Sequence, residues 1–89
     1  MITSNTTPDD ATLLAGLRTG DPTAFAAFYD THVDRVYRLA IGILGNEADA
    51  EEVTQATFVS AMRAIDHFEP HASLKAWLYR IAHNHAMML

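Results

Sequence analysis

Apolar residues recur every three or four positions along most of this chain, which is the helical period, and no stretch alternates as a strand would. Leu13, Leu14 and Leu17 share one face of a short segment that Asp9 or Asp10 can cap and Gly20 can end. Asp21-Pro22 is a strong helix start, because Asp caps and Pro sits in the first turn, where its missing N–H costs nothing. Phe25, Phe28, Tyr29, Val36, Tyr37, Ala40, Ile43 and Leu44 follow at helical spacing until Gly45, and Phe25, Phe28 and Tyr37 read as core. Asn46 can cap a third helix whose first turn holds Glu47 and Asp49, favourable for the helix dipole. Its apolar side is Val53, Thr57, Phe58, Ala61, Met62 and Ile65, while Glu51, Glu52, Thr54, Gln55 and Arg63 fall elsewhere around it. Asp66 to Ala72 is a bend broken by Pro70, and Ser73 or its neighbour starts a fourth helix with Leu74, Trp77, Leu78, Ile81, Ala82 and Met88 in a stripe. The expected architecture is all-α, a small bundle of three main helices plus a short N-terminal one over residues 9–89, behind a flexible tail at 1–8. The last helix reaches the final residue without a stop signal, which suggests a piece cut from a longer protein or a natural end.

At 89 residues, one domain with one core is the expectation, with no room for a deep cleft besides. Cysteine is absent, which excludes a disulfide framework and any thiolate metal site and suits a reducing cytoplasm. No basic-then-apolar leader opens the chain, and apolar runs are interrupted well short of ~18 residues, so no membrane partner is expected. Asn5-Thr6-Thr7 matches a glycosylation acceptor, a pattern common by chance.

The net charge of −5 changes the picture, because a domain that binds nucleic acid alone usually carries a basic surface. The charge is unevenly spread. Glu47, Asp49, Glu51 and Glu52 crowd one helix start with no base among them, whereas from Ala72 onward Lys75 and Arg80 stand with two histidines and no acid. The two regions suit different partners.

Chemistry of the bond-making kind is not indicated. Glu51 and Glu52 are neighbours on a helix, point different ways and cannot converge on one substrate. His67 and His71 straddle Pro70 in the bend, and His83 and His85 stand about 200° apart around a helix, so no shared metal is expected. No catalytic residue, cofactor or metal is expected. The methionines read as gap-fillers or chain-end residues.

Several pieces, in order, carry a resemblance. They are Ala24-Phe25 through Tyr29; Val36-Tyr37-Arg38-Leu39-Ala40; Asp49-Ala50-Glu51-Glu52-Val53 with Gln55 and Phe58; Arg63-Ala64-Ile65 with Phe68; and Trp77-Leu78-Tyr79-Arg80-Ile81-Ala82 with Asn84. The set resembles region 2 of the extracytoplasmic-function (ECF) sigma factors, within the sigma-70 family of bacterial transcription initiation factors. The resemblance implies a cytoplasmic protein with two working surfaces. The third helix would dock on the clamp helices of the RNA polymerase β′ subunit through Glu52, Gln55, Ala56, Phe58 and Met62. The bend and fourth helix would recognise the non-template strand of the promoter −10 element as it opens, with a base turned out and held at the bend. Phe68, His71, Ser73, Lys75, Tyr79, Arg80 and Asn84 are the DNA-binding candidates, and an anti-sigma factor is a possible further partner.

Trp77 lies on the apolar stripe and reads as core rather than as a DNA contact, whereas Tyr79 and Asn84 leave the stripe more clearly. Arg80 is open between DNA, a solvated helix charge and a partner for Asp66 or Glu69. The chain departs from the family pattern at Ala56, where an acid is usual, and at Leu74 and Ala76, where Phe and Thr are usual. The basic tail and the domain that reads the −35 element are missing as well. Ala56, the acidic balance and the missing tail motivate a second reading, a sigma-like decoy or anti-sigma-bound module that interacts with proteins but does not read DNA.

Overall fold

A computed structural model describes residues 10–89, and Asp9 and the expected tail at 1–8 lie outside the described residues. Four α-helices follow in order: α1 Asp10–Arg18, α2 Pro22–Leu44, α3 Glu47–Ala64 and α4 Leu74–Met88, with a 3₁₀ turn at Ile65–His67. No strand occurs among the described residues, so the expected all-α bundle is the observed one.

The helix ends fall where the sequence signals put them. The Asp21 carboxylate accepts from the Thr23 N–H at 2.9 Å, and Pro22 opens α2 behind it. Gly45 closes α2 with φ 68°, a left-handed conformation that costs an L-residue about 1 kcal/mol, and its N–H reaches the Ile41 carbonyl at 2.8 Å. The next residue, Asn46, already caps α3, its side chain accepting from the Asp49 N–H at 2.9 Å. A two-residue joint of this kind folds α3 back antiparallel along α2. Ser73 caps α4 by accepting from the Ala76 N–H at 3.1 Å.

The 23 residues of α2 extend about 35 Å and make it the spine of the bundle. One core cluster sets Phe28 and Val36 of α2 against Phe58 and Ala61 of α3 and Leu74, Leu78 and Ala82 of α4. Leu13, Leu14 and Leu17 of α1 join it from one end together with Ile65 and Phe68. Toward the other end the core narrows to Ala40, Ala50, Val53 and Ala86, small residues that let three helices approach closely. Gly16 does the same for α1. A Cβ there would stand 2.5 Å from the Ala24 Cβ, so only glycine permits α1 to lie this near α2.

Four apolar assignments change. Phe25 is 37% exposed, because it lies on the α2 flank beyond the reach of α4, while Phe28 is fully buried and Tyr37 is half-buried. Ile43 and Met88 are exposed at helix ends, where no neighbouring helix covers them. Thr54, expected on an outer face, is buried. Its hydroxyl donates to the Ala50 carbonyl at 2.7 Å, as that of Thr57 does to Val53, so the polar atom enters the core already satisfied.

Candidate docking and nucleic-acid faces

The outward arc of α3 is set by what its inward arc must bury. With Ala50, Val53, Thr54, Thr57, Phe58 and Ala61 turned inward, Glu52, Gln55, Val59 and Arg63 face solvent at spacings of three and four residues. Ala56 and Met62 are half-buried at the edges of that arc. Glu52 and Gln55 are therefore accessible to a partner, and neither is held by an ion pair among the described residues. Phe58 does not behave as the resemblance implied. It is 3% exposed, packed against Phe28 at 5.8 Å and Tyr29 at 4.8 Å between ring centres, because its helical position turns it toward α2. It forms the floor of a surface feature instead of projecting from one.

That feature is an apolar depression of about 560 Å³ between α2 and α3. Phe25 and Tyr29 form one wall, with rings stacked at 6.0 Å, and Gln55, Val59, Met62 and Arg63 form the other above Phe58. Val59, 50% exposed, lies seven residues after Glu52 on the same arc, and an outward valine at that spacing was the sequence signal for this surface. Next to it a more polar groove of about 480 Å³ is lined by Asp34 and Tyr37 of α2 and Glu51 and Gln55 of α3.

The second face begins at the bend. The 3₁₀ turn ends as the Phe68 N–H bonds the Ile65 carbonyl at 3.2 Å, and the chain then runs extended through Phe68. Phe68 is 4% exposed, with its ring edge-on to Trp77 at 5.0 Å. Phe68, a DNA-binding candidate on the resemblance, therefore has its ring packed in the core and not free to stack on a base. Trp77 is half-buried against it, in keeping with a packing role. Beyond Phe68 the bend is open: Glu69, Pro70, His71, Ala72 and Ser73 are all exposed. His71 stands 3.8 Å from Glu69 with both side chains solvated, a pair worth little.

A residue far away in sequence holds this bend. Arg18, at the end of α1, donates from Nη2 to the Phe68 carbonyl at 2.6 Å and from Nε to the Ile65 carbonyl at 3.3 Å. Nothing in the pattern of the chain announces a contact across 47 to 50 residues.

Helix α4 distributes the remaining candidates over two flanks. Leu74, Leu78, Ala82 and Ala86 point inward. At about 100° per residue, Lys75 and Tyr79 fall on the flank facing α2, while Asn84 lies on the other flank with Trp77, and Arg80 projects between. Arg80 and Asn84 are exposed, and Arg80 forms no ion pair with Asp66, Glu69 or any other described residue. Ser73 is engaged as the α4 cap. Tyr79 is half-buried, its hydroxyl 3.3 Å from His32 Nδ1 on α2 and its ring edge-on to the imidazole at 5.8 Å. Burial, reinforced by the charges of Lys75 and Arg35 and opposed by Asp10, lowers the His32 pKa below its ordinary 6.5, so this ring is neutral at neutral pH. No group of three or more metal-ligating side chains occurs among the described residues. None of their helices is long and apolar enough to cross a membrane.

A four-helix unit with an exposed arc on α3 and an exposed bend leading into α4 is a small all-α domain with two accessible surfaces. The chain belongs to the sigma-70 region 2 family, whose model matches residues 28–88. It is 40% identical over 68 residues to the ECF RNA polymerase sigma factor SigW of Bacillus subtilis, covering 76% of this chain and 36% of that protein. It is 41% identical over 69 residues to the ECF sigma factor SigE of Mycolicibacterium smegmatis, covering 74% and 26%. The chain thus spans roughly a third of the length of the curated relatives it matches. Among solved structures, an engineered region 2 of sigmaE in complex with GTAAAA superposes with a TM-score of 0.85 at 30% identity, covering 97% of this chain and 88% of that one. CnrH in complex with the cytosolic domain of CnrY gives 0.82 at 34% identity, covering 90% and 52%.

Proposed function

We propose that this domain is the part of a bacterial ECF sigma factor that docks on the β′ clamp helices of core RNA polymerase through α3 and contacts the −10 element through the bend and α4. It acts in the cytoplasm, where the polymerase is, and makes no bonds itself. The observation that carries this reading is the separation of two exposed regions on one bundle: Glu52, Gln55 and Val59 around an apolar depression, and His71 on the bend with Arg80 and Asn84 on α4, Lys75 standing on the α4 flank toward α2. Support for the DNA half comes from the likeness to a sigmaE region 2 bound to GTAAAA. The likeness to CnrH bound by CnrY supports an anti-sigma protein as a further partner.

The physics suits a domain that works only when held. A base turned out of the duplex costs a few kcal/mol in lost stacking, and a surface of net charge −5 offers little general attraction to DNA. Polymerase docking supplies the missing proximity. Replacing Glu52 by Arg and Gln55 by Ala together reverses a charge in the docking arc and removes an amide, and should weaken binding to a β′ clamp-helix fragment about tenfold without lowering the melting temperature. Fluorescence titration of a single-stranded −10-like oligonucleotide, with and without core polymerase, tests the DNA half. Saturable, base-selective binding with core is the expected result. Its absence would leave a protein-interaction module and defeat the reading.

A further inference from the structure

A polar bridge joins α2 to α4. The Tyr79 hydroxyl stands 3.3 Å from His32 Nδ1, and the two rings meet edge-on at 5.8 Å. On its inner side the imidazole packs edge-on against Phe28 at 5.3 Å, and Phe28 is fully buried. On its outer side lies a shallow depression of about 250 Å³, lined by Thr31, Arg35 and Lys75 together with the two bridging residues. Water and protons therefore reach the ring from one side. Tyr79 belongs to the second turn of α4, so the bridge holds the first turns of that helix, directly after the bend.

The charged groups that act on His32 come from three helices: Asp10 of α1, Arg35 of α2 and Lys75 of α4. Neither cation forms an ion pair among the described residues. While the imidazole is neutral, the bridge is a hydrogen bond between uncharged groups. Protonation does not break that bond, because Nδ1–H can donate to a hydroxyl that turns to accept. It places a third, half-buried cation beside Arg35 and Lys75, with Asp10 alone to offset it. Separating the first turns of α4 from α2 carries Lys75 away and lets water reach the ring. The separated state thus binds the proton more tightly than the closed one, and acid favours it.

We propose that His32 is an acid-sensitive latch between α2 and α4, closed while its ring is neutral and released by protonation, which frees the first turns of α4 and the bend before them. The latch is a property of the bundle and does not depend on what either exposed face binds.

Backbone amide exchange of the 89-residue chain, measured between about pH 7.5 and about pH 5.5 and corrected for the intrinsic pH dependence of exchange, tests it. Opening at Leu78 and Tyr79 should rise about three- to tenfold over that range relative to Phe58 and Ala61 of α3, since one proton gives at most tenfold per pH unit. His32→Gln keeps a neutral polar partner for Tyr79 and should abolish the rise. Arg35→Gln and Lys75→Gln, at exposed positions, should each shrink it, and Asp10→Asn should enlarge it. Such opposed shifts do not follow from a ring that merely fills space. No rise in wild type would overturn the latch, as would a rise indifferent to Arg35 and Lys75. A rise that persists in His32→Gln would belong to another histidine, such as His85, which meets Ser60 of α3 at 2.7 Å farther along α4, and would overturn it as well.

Discussion

Replacing Arg18 by Met keeps much of the aliphatic stem and removes only the guanidinium that ties α1 to the bend. Two hydrogen bonds are lost: a short one at 2.6 Å to Phe68 and a longer one at 3.3 Å to Ile65. A charge-assisted bond contributes about 1.5–3 kcal/mol, and the accessibility of Arg18 and the length of the second bond argue for the lower part of that range. The carbonyls it leaves belong to residues only 5% and 4% exposed, so water replaces the lost donor poorly. A loss of about 2 kcal/mol is expected, a fall of roughly 10 °C in melting temperature for a domain of this size. Lysine at the same position can reach one carbonyl but not fork between two, so Arg18→Lys should recover about half.

The loss should also be local. Amide exchange at Phe68 should accelerate more than exchange at Val36 or Leu78, because the tie holds the bend and not the centre of the bundle. With the bend less ordered, binding of the −10-like oligonucleotide to the polymerase complex should weaken several-fold while docking to β′ is unchanged, since an unordered loop must be ordered on binding. A variant that melts within about 2 °C of wild type, with Phe68 exchange unaltered, would refute the idea that α1 anchors the bend.

Two further outcomes follow from other parts of the fold. Gly16→Ala should destabilise by about 1 kcal/mol in urea titration, because overpacking against Ala24 at 2.5 Å outweighs the helix-propensity gain of alanine; Ala24→Gly in the same chain should restore stability, and a stabilised single variant would mean that α1 lies farther from α2. His32 titrates below 6.5 in the folded chain and at 6.5 when unfolded, so the unfolded chain binds more protons in that window. The stability it contributes is complete above 6.5 and falls as pH drops through the folded value, so the fall in melting temperature between about pH 7.5 and about pH 5.5 should be smaller in His32→Gln; equal falls in both proteins would remove His32 from the account.

The helix boundaries were legible because local chemistry writes them. Asp21-Pro22, Gly45-Asn46 and Ser73 each satisfy or terminate orphan backbone groups within a few residues, and the structure uses each as expected. Two roles implied by the resemblance differ from the structure for a tertiary reason, although the helical period already put Phe58 on the apolar side of α3. Phe68 stands in a polar bend and so reads as a DNA-binding candidate, but a 3₁₀ turn folds it back onto Trp77, whose helix starts six residues later. Phe58 stands at a docking position of the family pattern, but Phe28 and Tyr29 come from another helix to enclose it. Arg18, His32 and Arg35 carried no signal, since helical period reports which residues share a face and not which faces meet. Val59 does carry one, though a weak one, since a single outward apolar residue is ordinary.

The long α2 makes the proposed division of labour mechanical. Its Phe25 and Tyr29 wall the depression shared with α3, and within two turns its His32 and Arg35 line a smaller depression shared with α4. Phe28, fully buried between them, packs on both Phe58 and His32 and so links the two regions through the core. On the proposed reading, docking at α3 fixes where the α4 flank lies. Each exposed cation there contributes little alone, since surface electrostatics are screened over about 8 Å at physiological salt. Once the polymerase holds the domain beside an opening strand, the effective concentration rises to about millimolar and those small terms act together. On that proposal an acidic domain contacts DNA selectively at the promoter while binding it weakly elsewhere, because the attraction that a basic surface would supply everywhere is supplied only where the polymerase has put it.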